Sequence, residues 1–521
     1  MISRSAMLGM FMSCAAPLWA QSSEDAPLSA IDWLSESVAQ PEVLAAAPVL
    51  GTQATRTPDA NEAPVANSAA TPNVSVQTLG GPAPRALGLF PPSATGFPAD
   101  LWSGSDVTTL IALMRAEQID TLPAIQDLLT TLALAKANPP MEAATPGAFF
   151  LARVDKLLDF GALEPAQAML ESTRAETPAL FRRWFDVALL TGTEDGVCRA
   201  LREQPDVAPT PSARIFCLAR SGDWPAAALT LNTGLALGDI DAPTGALLAR
   251  FLDPDLYEDE PELDAPTRAT PLTFRMFEAI GSPLTTVGLP RAFSHADLRA
   301  NVGWKGQLEA AERLARAGAI SDNALIGLYT ARVPAASGGV WERAKAVAHL
   351  DTALESGDAD DMLRALNGLW DETQSVGVTV PLARHFAPDL LTSTTADRRA
   401  DGMLFKILLL SDHYEEAALI DAFEQTDPFL AGVARGDPSQ AHAALGQYPL
   451  IRDAFAAEPD ATLVDMAADG RTGEAILRSI ATLQQGIDGD QIAFNEGFAT
   501  LRALGLEDVA RRAALQYLLL Q

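Results

Sequence analysis

The sequence predicts an all-α protein, an irregular α-solenoid of helical hairpins preceded by a signal peptide and a disordered segment rich in Ala, Pro, Ser and Thr. Two observations lead to this prediction. From about residue 105 onward, apolar residues recur at helical spacing, and no later run alternates convincingly like a strand. The composition, 48% hydrophobic in 521 residues, is also sufficient to bury large cores.

The first twenty residues have the features of a secretory signal peptide. Arg4 precedes an apolar run from Ala6 to Trp19, and the small residue Ala20 is followed by polar residues. We expect cleavage near Ala20 and a periplasmic or secreted mature chain without an integral membrane segment. The alternative is a lipoprotein anchored through Cys14, whose preceding residues match a lipoprotein box less well.

Residues 21–98 are predicted to form a low-complexity linker, because their composition buries too little apolar surface to offset the entropy of ordering. Within it, a short amphipathic helix is predicted at residues 28–38. Its apolar side consists of Leu28, Ile31, Trp33, Leu34 and Val38. An isolated helix of this length is marginal in water, so this side either docks on the body of the protein or acts as a linear motif for a partner.

The body is predicted to contain N-terminal helical repeats at residues 99–252, an acidic loop at 253–268 and C-terminal repeats at 269–521. Just before it, residues 87–102 are expected to pack on the body in an extended conformation. Asp106 is placed to cap the first helix. The loop has seven acids between Asp253 and Asp264, which predicts a solvated segment; a calcium site there lacks the usual alternating carboxylate spacing.

A weak turn pattern recurs along the body, in which Gly or Asp is followed five residues later by Ala. It begins at Gly161, Gly222, Asp412, Gly470 and Gly505. These turns resemble those of tetratricopeptide and Sel1-like repeats, and the resemblance implies stacked helical hairpins. The Ala/Thr/Pro-rich front and acidic body are also similar in composition to bacterial envelope proteins labelled antifreeze glycopeptide-like, but the chain has no sustained Ala-Ala-Thr repeat that would predict ice binding.

Two cysteines follow the predicted leader. Cys198 and Cys217 flank a proline-rich stretch between two helical patterns, and in an oxidising compartment they are expected to form a disulfide. Two buried free thiols are the alternative. A redox pair would be expected to have C-x-x-C spacing, which differs from the spacing here.

The sequence contains no metalloprotease, nucleophile-elbow, P-loop or dinucleotide motif, and its five histidines lie far apart. We therefore predict no catalytic, cofactor or metal-ligating residues. The formal net charge of −30 argues against binding to nucleic acid or anionic lipid, because phosphates would be repelled.

Residues 289–349 concentrate aromatic and arginine side chains, the types that dominate interface hot spots. The candidate binding patch consists of Trp304, Arg313, Tyr329, Ser337, Gly338, Gly339, Trp341 and Arg343. The Ser-Gly-Gly turn before a helix is also suited to presenting N–H groups to an anion or a peptide carboxylate. The alternative is an ordinary turn between helices, with Trp341 in the core.

These observations predict an exported, non-enzymatic scaffold that binds an envelope protein or peptide through a helical-repeat surface. Two alternatives remain: an all-α hydrolase of cell-wall glycan or carbohydrate, which needs two carboxylates at catalytic separation, and a ligand-free structural spacer. The scaffold hypothesis, as placed on this patch, requires Trp304, Tyr329 and Trp341 to be accessible.

Overall fold

The structure, a computed structural model, describes residues 86–140, 147–173, 177–397, 401–439 and 446–520. The predicted signal peptide, Cys14 and the helix predicted at 28–38 lie outside the described residues, as does the linker up to residue 85. Within the described residues the secondary structure is helical without strands, apart from two isolated bridges, Leu87 with Ala137 and Phe90 with Ala135. The prediction of an all-α protein is confirmed.

The helices of the first half are α1 Pro92–Thr95, α2 Val107–Ala116, α3 Pro123–Leu134, α4 Ala148–Phe160, α5 Leu163–Ser172, α6 Pro178–Thr191, α7 Glu194–Glu203, α8 Pro211–Arg220, α9 Trp224–Leu237, α10 Ala242–Leu252, α11 Pro271–Ala279, α12 Ser294–Asp297 and α13 Trp304–Ala315. Those of the second half are α14 Asp322–Thr330, α15 Val340–Ser356, α16 Ala359–Thr373, α17 Thr379–Asp397, α18 Gly402–Leu409, α19 Tyr414–Ala418, α20 Asp421–Thr426, α21 Pro428–Arg435, α22 Tyr448–Ala456, α23 Ala461–Ala468, α24 Thr472–Ile487, α25 Gln491–Ala503 and α26 Glu507–Leu519. Single 3-10 turns occur at Pro205–Val207, Pro254–Tyr257, Arg291–Phe293 and Gln374–Val376.

Local sequence explains where many helices begin and end. The carboxylate of Asp106 accepts a hydrogen bond from the backbone N–H of Thr109 at 2.8 Å, so this residue caps α2 as predicted. Gly161, at the end of α4, has a φ of 82° and returns its N–H to the last turn of that helix. Three further glycines of the turn pattern, Gly222, Gly470 and Gly505, have φ values between 83° and 85°.

The helices pack mostly against their neighbours in the chain, around a main core that extends from Phe97 to Leu519. The array also closes, because α26 packs against α3 and α24 packs against α2. The buried Gln516 side chain accepts a hydrogen bond from the N–H of Ala124 at 2.8 Å, and the N–H of Gly473 donates to the carbonyl of Leu101 at 3.0 Å. Helices near the two ends of the described chain are therefore neighbours, a contact that local helical repeats do not predict.

The segment before α2 belongs to this packed body. The buried Arg153 guanidinium donates hydrogen bonds to the carbonyls of Leu87, Ala133 and Ala135 at 3.0, 2.8 and 2.6 Å. Burial lowers the pKa of Arg153 to about 10, which leaves it charged at neutral pH. Trp102 is fully buried, whereas Phe90 is 44% exposed. Hydrogen bonds and buried side chains therefore join residues 87–102 to the body.

A second, smaller core connects α6 to α11, and we call residues 181–280 the small lobe. Its cluster contains Phe185, Leu248 and Met276, among other apolar residues. Because Leu248 precedes the acidic segment and Met276 follows it, residues on both sides of that segment share one core. The segment itself includes the exposed 3-10 turn Pro254–Tyr257, which packs on α10.

Replacing Gly473 with alanine tests the closure of the array. An added Cβ would lie 2.4 Å from two atoms of the buried Trp102 ring and 2.8 Å from the Leu101 carbonyl oxygen. We expect the free energy of unfolding, measured with urea, to fall by about 1–3 kcal/mol. Gly327→Ala is the control, because Gly327 is exposed within α14 and its Cβ would meet open space, so that variant should gain up to about 1 kcal/mol. Equal stability of the two variants would contradict the close packing seen at Gly473.

Candidate functional site

The aromatic residues of the predicted patch lie where α13, α14 and α15 pack together. Trp304 and Tyr329 are buried, Trp341 is partly buried, and the Trp304 and Trp341 ring centroids are 5.1 Å apart. The Trp304 indole N–H donates to the carbonyl of Leu328 at 2.8 Å. Trp304 and Tyr329 are therefore core residues, and the accessible aromatic patch expected from the sequence is not formed by them.

A buried carboxylate explains why tyrosine and arginine occur here. Glu312 accepts hydrogen bonds from the Tyr329 hydroxyl at 2.7 Å and from two nitrogens of the buried Arg343 at 2.6 and 2.7 Å. Burial and the negative charge of Glu312 raise the pKa of Tyr329 well above its ordinary value, so its hydroxyl stays protonated. The network ties three helices together. Sequence reasoning missed Glu312, because its partners are 17 and 31 residues away.

Arg313 lies beside a cleft of about 280 Å³ between α12, α13 and the loop before them. Its lining consists of Thr286, Val287, Gly288, Ser294, Asp297, Gly306, Glu309, Ala310 and Arg313. Arg313 donates to the carbonyls of Thr286 and Leu289 and to the Ser294 hydroxyl, while the Thr286 hydroxyl donates to Asp297. Burial, with the nearby charge of Arg291, lowers the pKa of Arg313. These polar groups hold the loop in place.

The Ser337-Gly338-Gly339 turn is exposed and leads directly into α15. The turn was predicted to present N–H groups to an anion or a peptide carboxylate. In the structure the Gly338 N–H instead donates to the Glu342 carboxylate of the same chain at 3.1 Å. That hydrogen bond, together with Lys345, lowers the pKa of Glu342. Ser337 does not cap the helix, because Gly339 occupies the capping position without a side-chain hydrogen bond.

The two body cysteines lie in the small lobe. A disulfide joins Cys198 of α7 to Cys217 of α8, with the Cα atoms 5.0 Å apart and both residues buried. It connects two helices of the smaller core. Helix α9 packs against α8 on one side and α10 on another.

Helix α9, which contains no charged residue, exposes four large apolar side chains, Trp224, Leu229, Leu235 and Leu237. Ala227, Leu231 and Gly234 form its buried side. The opposite side, which we call the α9 face, consists of Trp224, Pro225, Ala228, Leu229, Asn232, Leu235, Ala236 and Leu237, all exposed. Trp224, Leu229 and Leu237 are 47%, 68% and 71% exposed. Residues three, four and seven positions apart are neighbours on a helix, so the face is continuous. It also includes two exposed polar side chains, Asn232 and Thr233, and the Thr233 hydroxyl donates to the Leu229 carbonyl at 2.8 Å.

Acidic residues flank α9 in the chain and continue through the segment after α10. Between Ser221 and Thr267 there are ten exposed acids, namely Asp223, Asp239, Asp241, Asp253, Asp255, Glu258, Asp259, Glu260, Glu262 and Asp264. The same range contains one basic residue, Arg250, which pairs with Glu260 at 3.2 Å. Asp223 and Asp241 cap α9 and α10 through hydrogen bonds to Ala226 and Thr244. The uncharged α9 therefore has acidic residues at both ends, and we call Asp223, Asp239 and Asp241 the acidic rim. The sequence signal for this surface is the absence of charge along a helical segment of an acidic chain.

The described residues contain no cluster of three His, Cys, Asp or Glu side chains arranged to hold a metal ion. Within the same residues, no helix combines the length and apolar character needed to cross a bilayer. His295 is buried with its Nε2 2.6 Å from the Gly161 carbonyl oxygen, and burial lowers its pKa to about 4, so the ring is neutral at physiological pH and acts as a packing residue.

No family profile, curated protein or solved structure matches this chain.

Proposed function

We propose that this protein is an exported, non-enzymatic scaffold that binds an envelope protein or peptide, and that the α9 face is its recognition surface. The observation that carries the proposal is the exposure of Trp224, Leu229 and Leu237 on a helix without charge, in a lobe with its own core. Contiguous apolar surface of this kind on a folded protein is typical of a binding site. The proposed recognition surface is therefore on the small lobe, and not on the patch around Trp304 that the sequence predicted.

The energetics of burial support recognition at this face. Complete burial of a leucine or similar side chain contributes about 1.5–3 kcal/mol relative to leaving it in water. Leu229 and Leu237 are each mostly exposed, and a partner that covered both would recover most of that contribution. The aromatic Trp224, at the start of the same helix, is of the residue type most enriched in interface hot spots.

The rigidity of the lobe favours binding by a preformed surface. The disulfide links α7 to α8, and α9 packs directly on α8, so the backbone beneath the face is held by covalent and apolar contacts. A preorganised surface loses less conformational entropy on binding. Disulfides persist mainly in oxidising compartments, which supports the proposed exported location.

Hydrolysis of glycan is less well supported by the side chains lining the cleft. The hydrolytic mechanism uses an acid and a base, or an acid and a nucleophile, separated by about 5 to 10 Å. The carboxylates at the cleft are Asp297, which accepts a hydrogen bond from Thr286, and Glu309, which pairs with Lys305 at 3.5 Å. Both therefore interact with neighbouring side chains, and no observation assigns them catalytic roles.

Site-specific photo-crosslinking tests the proposed function. A photoreactive amino acid at position 229 is expected to form a defined adduct with an envelope protein or peptide in the native cells. The same amino acid at position 492 is the control, because Ile492 is 78% exposed on α25, in a different part of the protein. Equal adducts at both positions, or none at position 229, would contradict recognition through the α9 face.

A further inference from the structure

We propose that the α9 face binds a basic amphipathic helical segment, in which an apolar stripe is flanked by Lys or Arg. This inference rests on the proposed function and names the chemical class of its partner. It combines two observations, the uncharged apolar helix and its acidic rim.

The apolar part of the site has the dimensions of a helix-binding surface. A helix of 14 residues is about 21 Å long, and α9 has this length. Its exposed apolar residues follow two parallel rows, Trp224 with Ala228 and Leu235, and Pro225 with Leu229 and Ala236. A partner helix carrying apolar residues at i, i+3, i+4 and i+7 presents a ridge that packs between such rows.

The rim determines the preferred charge of the partner. Ten exposed acids and one base lie between Ser221 and Thr267 in the sequence, and the whole chain has a formal net charge of −30. Asp223 lies before the start of α9, Asp239 and Asp241 follow its end, and the acidic segment follows the neighbouring α10 in the chain. A cationic partner gains attraction at both ends of α9, which raises its association rate and disfavours acidic competitors.

The same charges disfavour three other occupants. The chain's own segment 28–38 contains Asp32 and Glu36 and no basic residue, so the rim repels it. A second copy would bring an identical acidic rim against the first, because a symmetric dimer pairs a surface with itself. An anionic lipid surface would likewise be repelled. A helical segment with an apolar stripe flanked by Lys and Arg is the occupant that both the apolar face and the rim accept.

Fluorescence anisotropy with synthetic peptides and the full chain tests this inference. The probe is a labelled peptide of about 16 residues, or four turns, with leucines at i, i+3, i+4 and i+7 and lysines beside them. One matched peptide replaces every lysine with glutamate, and another scrambles the lysine peptide so that its apolar stripe is lost. We expect binding of the first peptide alone, with an affinity that falls as salt concentration rises.

Two protein variants locate the binding site. Leu229→Ser should weaken binding roughly tenfold or more, the effect expected from losing burial of one leucine side chain. Replacing Asp239, the acid of the rim that caps no helix, with lysine should also weaken binding and reduce its salt dependence. Ile492→Ser is the matched control and should bind like the parent. Leu229 and Ile492 are on helices, Asp239 follows the end of α9, and all three are exposed, so circular dichroism should show unchanged folding.

Each contrary result overturns the inference in a distinguishable way. If the glutamate peptide binds as well as the lysine peptide, or the scrambled peptide does, the assigned chemistry is wrong. If Leu229→Ser leaves affinity unchanged, the site is wrong. Binding to zwitterionic phosphatidylcholine vesicles that depends on Leu229 would replace the peptide partner with a membrane surface. A crosslink at position 229 to an acidic or neutral segment would overturn this inference while leaving the proposed function intact, whereas absence of that crosslink contradicts the proposed function itself.

Discussion

Glu312→Ala is expected to lower the free energy of unfolding by about 3–5 kcal/mol, the largest effect of any substitution considered for this protein. The change leaves the buried Arg343 guanidinium without its carboxylate partner and the Tyr329 hydroxyl without its acceptor. An unpaired buried charge is far more costly than the pair is stabilising, because the guanidinium loses its hydration without compensation. Urea unfolding followed by circular dichroism measures the loss.

Glu309→Ala is the matched control for this prediction. Glu309 is on the same helix as Glu312, but its carboxylate is exposed and pairs with Lys305 at 3.5 Å. Exposed pairs of this kind contribute about 0–1 kcal/mol, so the control should be nearly as stable as the parent. Adding Arg343→Met to Glu312→Ala should recover part of the loss, since it removes the stranded charge. If both alanine variants cost the same, the network does not stabilise the contact between these helices.

Removing the Cys198–Cys217 disulfide should destabilise the small lobe by about 3 kcal/mol on the chain-entropy model for a loop of about 20 residues. Because the lobe has a separate core, we expect the loss of stability to appear as faster hydrogen exchange in α7 and α8, before the main core opens. Adding reductant to the parent chain should lower its free energy of unfolding by the same amount as the double substitution Cys198→Ala/Cys217→Ala does without reductant.

The double variant also provides the control for this experiment, because reductant should have no further effect on it. Reduction should in addition weaken the photo-crosslink at position 229, since α9 packs on α8. An unchanged unfolding curve and unchanged exchange in α7 and α8 after reduction would show that the disulfide does not stabilise the lobe.

The binding patch around Trp304 was predicted from its residue types, and residue types alone do not determine whether a side chain is exposed. Tryptophan, tyrosine and arginine are enriched in interface hot spots, but they also occur in cores where their polar atoms find partners, as Trp304 does with the Leu328 carbonyl. Composition does not separate these two cases. The deciding residue is Glu312, and only folding brings it next to Tyr329 and Arg343.

The α9 face was missed for the opposite reason. Its residues Trp224, Leu229 and Leu237 read as ordinary core positions of a helical repeat, because apolar residues on every side of a helix usually mean burial. In the structure α9 lies at the edge of the small lobe, where α8 and α10 cover only the side formed by Ala227, Leu231 and Gly234. Position at an edge is a tertiary property that periodicity does not encode.

The sequence by itself determined the all-α class, many helix ends and the candidate cysteine pair. Helix formation, the Asp106 cap and the left-handed glycine turns at Gly161 and Gly470 depend on residues within a few positions of each other, so they can be read locally. The tertiary structure decided the closure of α26 onto α3, where Gln516 meets Ala124 across 392 positions. It also decided which aromatic residues are buried and which apolar helix is exposed. Those outcomes depend on the summed packing of distant helices, and no short stretch of sequence contains that information.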